Sequence, residues 1–572
     1  MSHEEIAAHL PEALARPSAY PSDASASAGI EWVQTHLSHV FLTHDRVYKL
    51  RKAVDLGFLD FRRRAERNAD CLREVRLNRR LAPDVYLGVA PIEPMKDAYG
   101  VGAIGESIER EALEHVVVMR RLPAGRDALS LLARGALHAS HLDAVARRLA
   151  RFHVEHGLGV PSPFPPETWL EAVCAPVRDT LERLAAAPGG LLRRSSVERL
   201  RARSDSFATE HRDAIEARRR AGRAVDGHGD VHLQHVWFEP GRAEPLLIDC
   251  IEFNDALRRI DGAAEIAFLA MDLRYRSRPR LAERFLRSYA SERDDYDAYR
   301  VVDWFASYRA AVRALVAAQA AVDPSIGPDQ REAAADSARR HLALALRLLG
   351  PRRGGALVVV AGVVGTGKST VAGRLADAVG GVVIASDRVR KALRGLEPTD
   401  RGGAAAGLYA EGEKDAVYAA LLDRAEPVLE SGRVAVLDAT YARERHRRAA
   451  IELASRYEVP MWILETRCDA ETAIERLALR QASGRDPSDA GPALHARSGR
   501  EFEPIRPVRG VEHRVLHTDA VSWRSDLRHV SAALRVAARG SRPRARPSPR
   551  GGPSRRPAGS SPSSPPASRG GG

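Results

Sequence analysis

Ala356-Leu357-Val358-Val359-Val360-Ala361-Gly362-Val363-Val364-Gly365-Thr366-Gly367-Lys368-Ser369-Thr370 decides the fold of the second half of this chain. The first six residues form a continuous apolar run suited to a buried parallel strand. Gly362 to Ser369 fills every position of G-x-x-x-x-G-K-[ST], and Val371 to Val379 continues with helical spacing. Strand, glycine loop and helix, in that order, are the setting in which the pattern cradles phosphate. The glycines let successive backbone N–H groups turn inward, and the helix start adds positive dipole. Lys368 reaches the outer phosphates and Ser369 can ligate Mg²⁺. Gly362, Gly365, Thr366, Gly367, Lys368, Ser369 and Thr370 are therefore read as a nucleotide site, with a triphosphate, ATP, as the expected guest. A chance glycine-rich turn is the lesser reading, because it would have to match the whole pattern between a strand and a helix.

Downstream, strand-like runs at 382–386, 434–438, 461–466 and 513–518 join 356–361 and alternate with helical segments, which predicts a parallel sheet with helices on both faces. Upstream, Gly354-Gly355 marks the joint of this 355–540 domain with a first domain over 28–350. In that first domain, Val40-Phe41-Leu42 and Val47-Tyr48-Lys49-Leu50 flank Thr43-His44-Asp45-Arg46 as a hairpin, and a long amphipathic helix follows from Arg62 to Leu81. Further strand-like runs lie at Tyr86 to Ile92 and His115 to Met119. Beyond Leu122-Pro123 the pattern is mainly helical, at 136–157, 167–186, 196–220 and from 261 to 350, with short strand-like pieces at Ala224 to Phe238 and Pro245 to Phe253. The heavily charged 196–220 reads as a solvated helix face. Residues 1–27 read as an extension made of a loose helix and a linker. The 541–572 tail is almost entirely Pro, Ser, Arg, Gly and Ala, cannot bury a core, and is expected to be disordered.

At 572 residues, two or three globular units are expected. The net charge of +13 is concentrated in the tail, which holds seven Arg and no acid and leaves +6 for the rest. A nucleic-acid partner is accordingly not favoured. The four cysteines stand far apart without C-x-x-C spacing, so neither a zinc site nor a disulfide framework is indicated, and a reducing cytoplasm fits. No apolar run has the length of a spanning helix, so no membrane partner is expected.

Gly227-His228-Gly229-Asp230-Val231-His232, followed 19 residues after Asp230 by Asp249 in Leu247-Ile248-Asp249-Cys250-Ile251-Glu252-Phe253, resembles the aminoglycoside phosphotransferase family, whose fold is related to protein kinases. The resemblance implies a bilobal α+β domain in which Asp230 orients the acceptor hydroxyl and Asp249 holds Mg²⁺. It also implies that Lys49, on its strand, pairs with Glu74 on the following helix; Lys52 competes for the role of phosphate-contacting lysine. Two departures stand out. The family has Asn five residues after the first Asp, whereas this chain has His235, a nitrogen donor where Mg²⁺ takes oxygen. The amino lobe offers Thr35-His36-Leu37-Ser38-His39 in place of a G-x-G-x-x-G loop.

The second half resembles the small P-loop kinases that include gluconate kinase, adenylylsulfate kinase, chloramphenicol phosphotransferase and the polynucleotide kinases. That likeness implies an α/β P-loop NTPase, with Asp438 at a strand end joining Ser369 as the Mg²⁺ site. It implies Asp387 as acceptor of the hydroxyl proton, with a helix N-cap as its plainer role. Arg480, with Arg476 and Arg485, lies on and just after a helix followed by Asp486 to Ser498, which reads as a lid, and arginines carried by a closing lid would stabilise the transferring phosphoryl group. The expected activity is ATP- and Mg²⁺-dependent transfer to a small-molecule hydroxyl, principally by the second domain. Two rivals remain: a first domain that senses a ligand and controls an ATPase, and a kinase acting on a polynucleotide 5′-hydroxyl.

Overall fold

In the computed structural model, which describes residues 9–55, 59–95, 98–108, 112–187, 190–351, 354–396, 411–483 and 493–540, Ala356–Ala361 is the central strand of a five-stranded sheet. The order is Val382–Ala385, Val434–Asp438, Ala356–Ala361, Met461–Arg467, Val511–His517, and every pairing is parallel. The apolar run was readable because all six of its residues are buried. Side chains alternate across a strand. Leu357, Val359 and Ala361 thus face one apolar core, and Ala356, Val358 and Val360 face another. Val360 and Ala385 both stand in register with Asp438, so three strands end level and their following loops converge.

The first domain opens with a six-stranded antiparallel sheet ordered Glu31–Gln34, Ser38–Leu42, Arg46–Arg51, Glu114–Arg120, Tyr86–Met95, Ala98–Val101. Helix Arg64–Asn78 covers one face through Cys71 and Val75. The other face is covered by the stretch read as an extension and linker, and this is a correction. Leu10, Leu14 and Tyr20 are buried there against Phe41 and Leu50. The Asp23 carboxylate ties the segment down by accepting from the hydroxyls of Thr43 (2.9 Å) and Tyr48 (3.0 Å).

The second lobe is helical: Ala139–Glu155, Pro166–Ala185, Arg194–Glu210, Arg212–Arg220, Gly262–Tyr275, Pro279–Arg293, Val302–Ala320 and Pro328–Leu348. The single helix expected over 196–220 is two, broken at His211, whose ring stacks on Phe207 at 3.9 Å. Its charge is not all solvated either: Arg218 is buried and forks to Asp261 and Asp295.

The joint at Gly354-Gly355 does not separate two independent cores. One buried apolar cluster runs from the helical lobe into a face of the parallel sheet. Charged pairs also cross the boundary, among them Arg424–Asp294, Arg300–Glu430 and Arg433 with Glu283 and Asp303. Among the described residues no helix is long and apolar enough to cross a membrane, and the four cysteines are free thiols. The tail at 541–572 lies outside the described residues.

Candidate active sites

The phosphate loop takes its shape from three left-handed glycines, Gly362, Gly365 and Gly367, at φ of 145°, 91° and 86°. Gly367 precedes helix Lys368–Val379, whose first-turn amides have no intrahelical partner and open towards the loop. The Thr366 hydroxyl pairs with that of Thr466 at 2.7 Å and anchors the loop to the neighbouring strand. The Lys368 ammonium donates to the Val363 carbonyl at 3.0 Å, so it lies folded over the loop where outer phosphates would bind.

Lys368 and Ser369 line a cleft of about 860 Å³ together with Asp438 and Asp387. Asp438 is buried at the end of its strand. Asp387 lies in the first turn of Ser386–Ala392 and accepts from Arg390 at 2.9 Å. No side-chain cap is made at the start of that helix, so the plainer role proposed for Asp387 is not the one it fills. The first domain also contributes to the lining, through Arg147 on Ala139–Glu155 and Arg284 and Ser288 on Pro279–Arg293. Ten Arg and Lys line the cleft against five carboxylates, which suits polyanionic occupants.

The arginines expected in a lid divide. Arg476 is held by Thr518, donating to its hydroxyl at 2.8 Å and its carbonyl at 3.0 Å, and that hydroxyl donates in turn to the Thr366 carbonyl of the phosphate loop at 2.9 Å. Arg480 falls on helix Ala470–Ser483, but its side chain lies outside the described residues, as does Arg485 entirely. Of the stretch 486–498, residues 493–498 are described. There the His495 ring nitrogen donates to the Val364 carbonyl at 2.7 Å, placing this helix against the phosphate loop.

In the first domain, Lys49 separates from Lys52. The Lys49 ammonium donates to Glu74 Oε1 and to Asp249 Oδ1, both at 2.8 Å, while Lys52 turns outward to Gln34 at 3.0 Å. Lys49 holds the Asp249 carboxyl well below the usual range against the opposing effect of burial. Asp249 sits in the left-handed region at φ 64°, its amide donating to the Tyr86 hydroxyl at 3.0 Å. Aspartate tolerates that region better than most residues with a side chain. Asp230 Oδ2 lies 3.4 Å from His235 Nδ1, and His235 Nε2 lies 3.4 Å from Asp249 Oδ2. The four residues expected to converge, Lys49, Glu74, Asp230 and Asp249, are thus brought together.

Two parts of this site were not read from the sequence. Arg51 is buried at the centre of three carboxylates, Asp70, Glu74 and Glu252, and fixes Glu74 from behind. Its position two residues after Lys49, on the same strand face, was the available signal. Glu265, far along the chain, binds the loop that carries Asp230: its carboxylate accepts from the amides of His228 and Gly229, each at 2.9 Å. No local spacing announces that contact.

Residues 42–305 match the model of the phosphotransferase enzyme family, and residues 357–505 match that of an AAA domain. Uncharacterized proteins of Mycobacterium tuberculosis and Mycobacterium bovis are each 33% identical to the chain over 471 residues, covering 81% of it and 89% of the relative. The chain belongs to their family. It joins a phosphotransferase-type kinase domain to a P-loop kinase-like domain, and is a phosphotransferase or ATPase. Among solved structures, a gluconokinase from Sinorhizobium meliloti aligns with 32% of this chain and 95% of its own, at 20% identity and a TM-score of 0.24. A choline/ethanolamine kinase family protein from Mesorhizobium loti aligns with 58% and 98%, at 17% identity and a TM-score of 0.33.

A kinase of this family implies Mg²⁺, and the two sites differ in how well they suit it. The Ser369 hydroxyl and Asp438 carboxylate are oxygen donors lining one cleft, as Mg²⁺ requires. In the first domain, Asp249 supplies oxygen but its neighbour is the His235 imidazole, which does not fit that ion.

Proposed function

We propose that the chain transfers the terminal phosphoryl group of ATP to a hydroxyl of a small molecule bound in the domain-boundary cleft, principally through the second domain. The observation that carries this reading is that Lys368, Ser369, Asp438 and Asp387 line one cleft. In this reading Gly362, Gly365, Thr366, Gly367 and Thr370 shape the phosphate cradle, and Lys368 leaves the Val363 carbonyl for the outer phosphates. Ser369 and Asp438 would hold Mg²⁺, which neutralises phosphate charge when bound. Asp387 takes the proton of the attacking hydroxyl, and Arg480, on helix Ala470–Ser483, would stabilise the transferring group. ATP and Mg²⁺ are the cofactors, and the cytoplasm is the location that fits free thiols.

The first domain keeps Lys49, Glu74, Asp230 and Asp249 in kinase-like array but departs at His235. A second reading, in which it governs the second domain, is supported by its contribution of Arg147, Arg284 and Ser288 to the cleft wall. One experiment separates the two domains' roles. Steady-state phosphate release by full-length Lys368→Ala should fall by about 10² or more, by analogy with removal of other preorganised charge donors, while Asp230→Ala should retain a substantial part. Silencing by Asp230→Ala with turnover intact in Lys368→Ala would make the first domain the engine and reverse the assignment.

A further inference from the structure

His235 stands between the two aspartates of the first domain, and its hydrogen bonds set its chemistry. Nδ1 lies 2.9 Å from the Asp230 carbonyl oxygen. A carbonyl only accepts, so Nδ1 carries a proton, and in the neutral ring the lone pair lies outward at Nε2. That lone pair faces Asp249 Oδ2 at 3.4 Å. The other oxygen of Asp249 is occupied by Lys49 at 2.8 Å, which leaves Oδ2 as the outward acceptor. A lone pair and an anionic oxygen at this separation repel unless a cation lies between them, either a proton on Nε2 or a metal ion. Two metal–ligand bonds of about 2.1 Å span 3.4 Å at an angle of about 108°, the geometry of a tetrahedral or moderately distorted octahedral ion.

We propose that His235 Nε2 and Asp249 Oδ2 form a mixed nitrogen–oxygen pair for a borderline first-row divalent cation, in the range Mn²⁺ to Zn²⁺, and that the first domain thereby discriminates against Mg²⁺. Imidazole is a poor ligand for Mg²⁺ and a good one for the later first-row ions, while a carboxylate serves both. The Asp230 carbonyl orients the ring from behind, as outer partners of metal-bound imidazoles do. His232 is also near, with Asp230 and His235. Its Nδ1, however, accepts the Gln234 amide at 3.3 Å, so the ring proton falls on Nε2, 3.6 Å from Asp230 Oδ2, and the ring has no lone pair free to ligate. The inference is independent of chemistry at the phosphate loop.

The test is pulsed electron paramagnetic resonance on the full-length protein, labelled with ¹⁵N-histidine and loaded with Mn²⁺ and a non-hydrolysable ATP analogue. The expected result is a ¹⁵N coupling to Mn²⁺ that persists in Lys368→Ala and disappears in His235→Asn. Asp249→Asn, which leaves the ring untouched, should abolish it as well, and this keeps the test decisive if one variant is misfolded. In His235→Asn, Mg²⁺ should also compete with Mn²⁺ at least ten-fold better than in the parent protein. Absence of the coupling in the parent would show that His235 does not ligate the ion and overturn the proposal. A coupling unchanged in both variants would overturn it too.

Discussion

Glu265 shows how one residue outside every motif sustains a site. Burial alone would raise its carboxyl, but the His153 ring, with Nε2 at 3.7 Å from Oε2, and the Gly229 amide outweigh burial and hold the pKa down to about 2 from an ordinary 4.5. In the unfolded chain Glu265 is charged only above about 4.5, so its stabilisation is complete above that pH and is lost as pH falls towards about 2. The difference corresponds to about 3 kcal/mol. Denaturant midpoints at pH 6 and pH 3 should therefore differ less in Glu265→Gln than in the parent. An equal difference in the two proteins would show that Glu265 does not supply this slope. Arg51 belongs at the same scale. It was passed over because an Arg in a chain so rich in Arg carries little signal, whereas its burial among three carboxylates makes it the fixed point behind Glu74.

At the scale of elements, the phosphate loop is the most tightly specified turn. A Cβ at Gly365 would stand 2.9 Å from the Ala473 carbonyl oxygen, at a φ of +91° that side chains rarely adopt. Gly365→Ala must therefore shift the loop against helix Ala470–Ser483. A left-handed conformation costs a residue with a side chain about 1–2 kcal/mol, enough to weaken nucleotide binding roughly ten-fold. Titration with a fluorescent ATP analogue, with circular dichroism unchanged, checks this; unaltered affinity would mean the loop does not have to keep its shape. The strand edges were equally legible, because alternating or continuous apolar runs record burial directly. The N-terminal segment was not. Leu10 and Leu14 make one short turn of apolar spacing, and only the uncovered sheet face above them decides that they pack.

For the whole molecule, the decisive feature is the boundary between the domains. Arg433 precedes the strand that ends in Asp438 and reaches back into the first domain. Its Nε donates to Glu283 at 2.8 Å, its Nη1 donates to Asp303 at 2.8 Å, and its guanidinium lies 5.0 Å from the Tyr299 ring centre. Arg433→Ala would leave those carboxylates in a closed interface, still paired with Arg274 but without the second guanidinium. Breaking a buried pair from one side costs roughly 3–5 kcal/mol. Calorimetry of the full chain should accordingly show a lower first transition and two resolved meltings in place of one. A single unshifted transition would indicate that the shared apolar core alone holds the domains together. The same boundary makes the cleft a property of both domains, since Arg147 and Arg284 face the second domain's Lys368 and Asp387 across it.

The sequence by itself determined what rests on short spacings. These are the phosphate loop between its strand and helix, the order of the parallel strands' apolar runs, the hairpin bearing Lys49, and the two aspartates 19 residues apart. Such features are local, so a few consecutive side chains and the periods of strand and helix suffice to state them. Only the tertiary structure decided what rests on distance in space. It chose Lys49 over Lys52, closed Glu265 onto the Asp230 loop, set His235 between two carboxylates and placed first-domain helices along the second domain's cleft. Each of these contacts joins residues tens to hundreds of positions apart or depends on how one ring is oriented. Their energies come from burial and from groups desolvated together, quantities that exist only once the chain has packed.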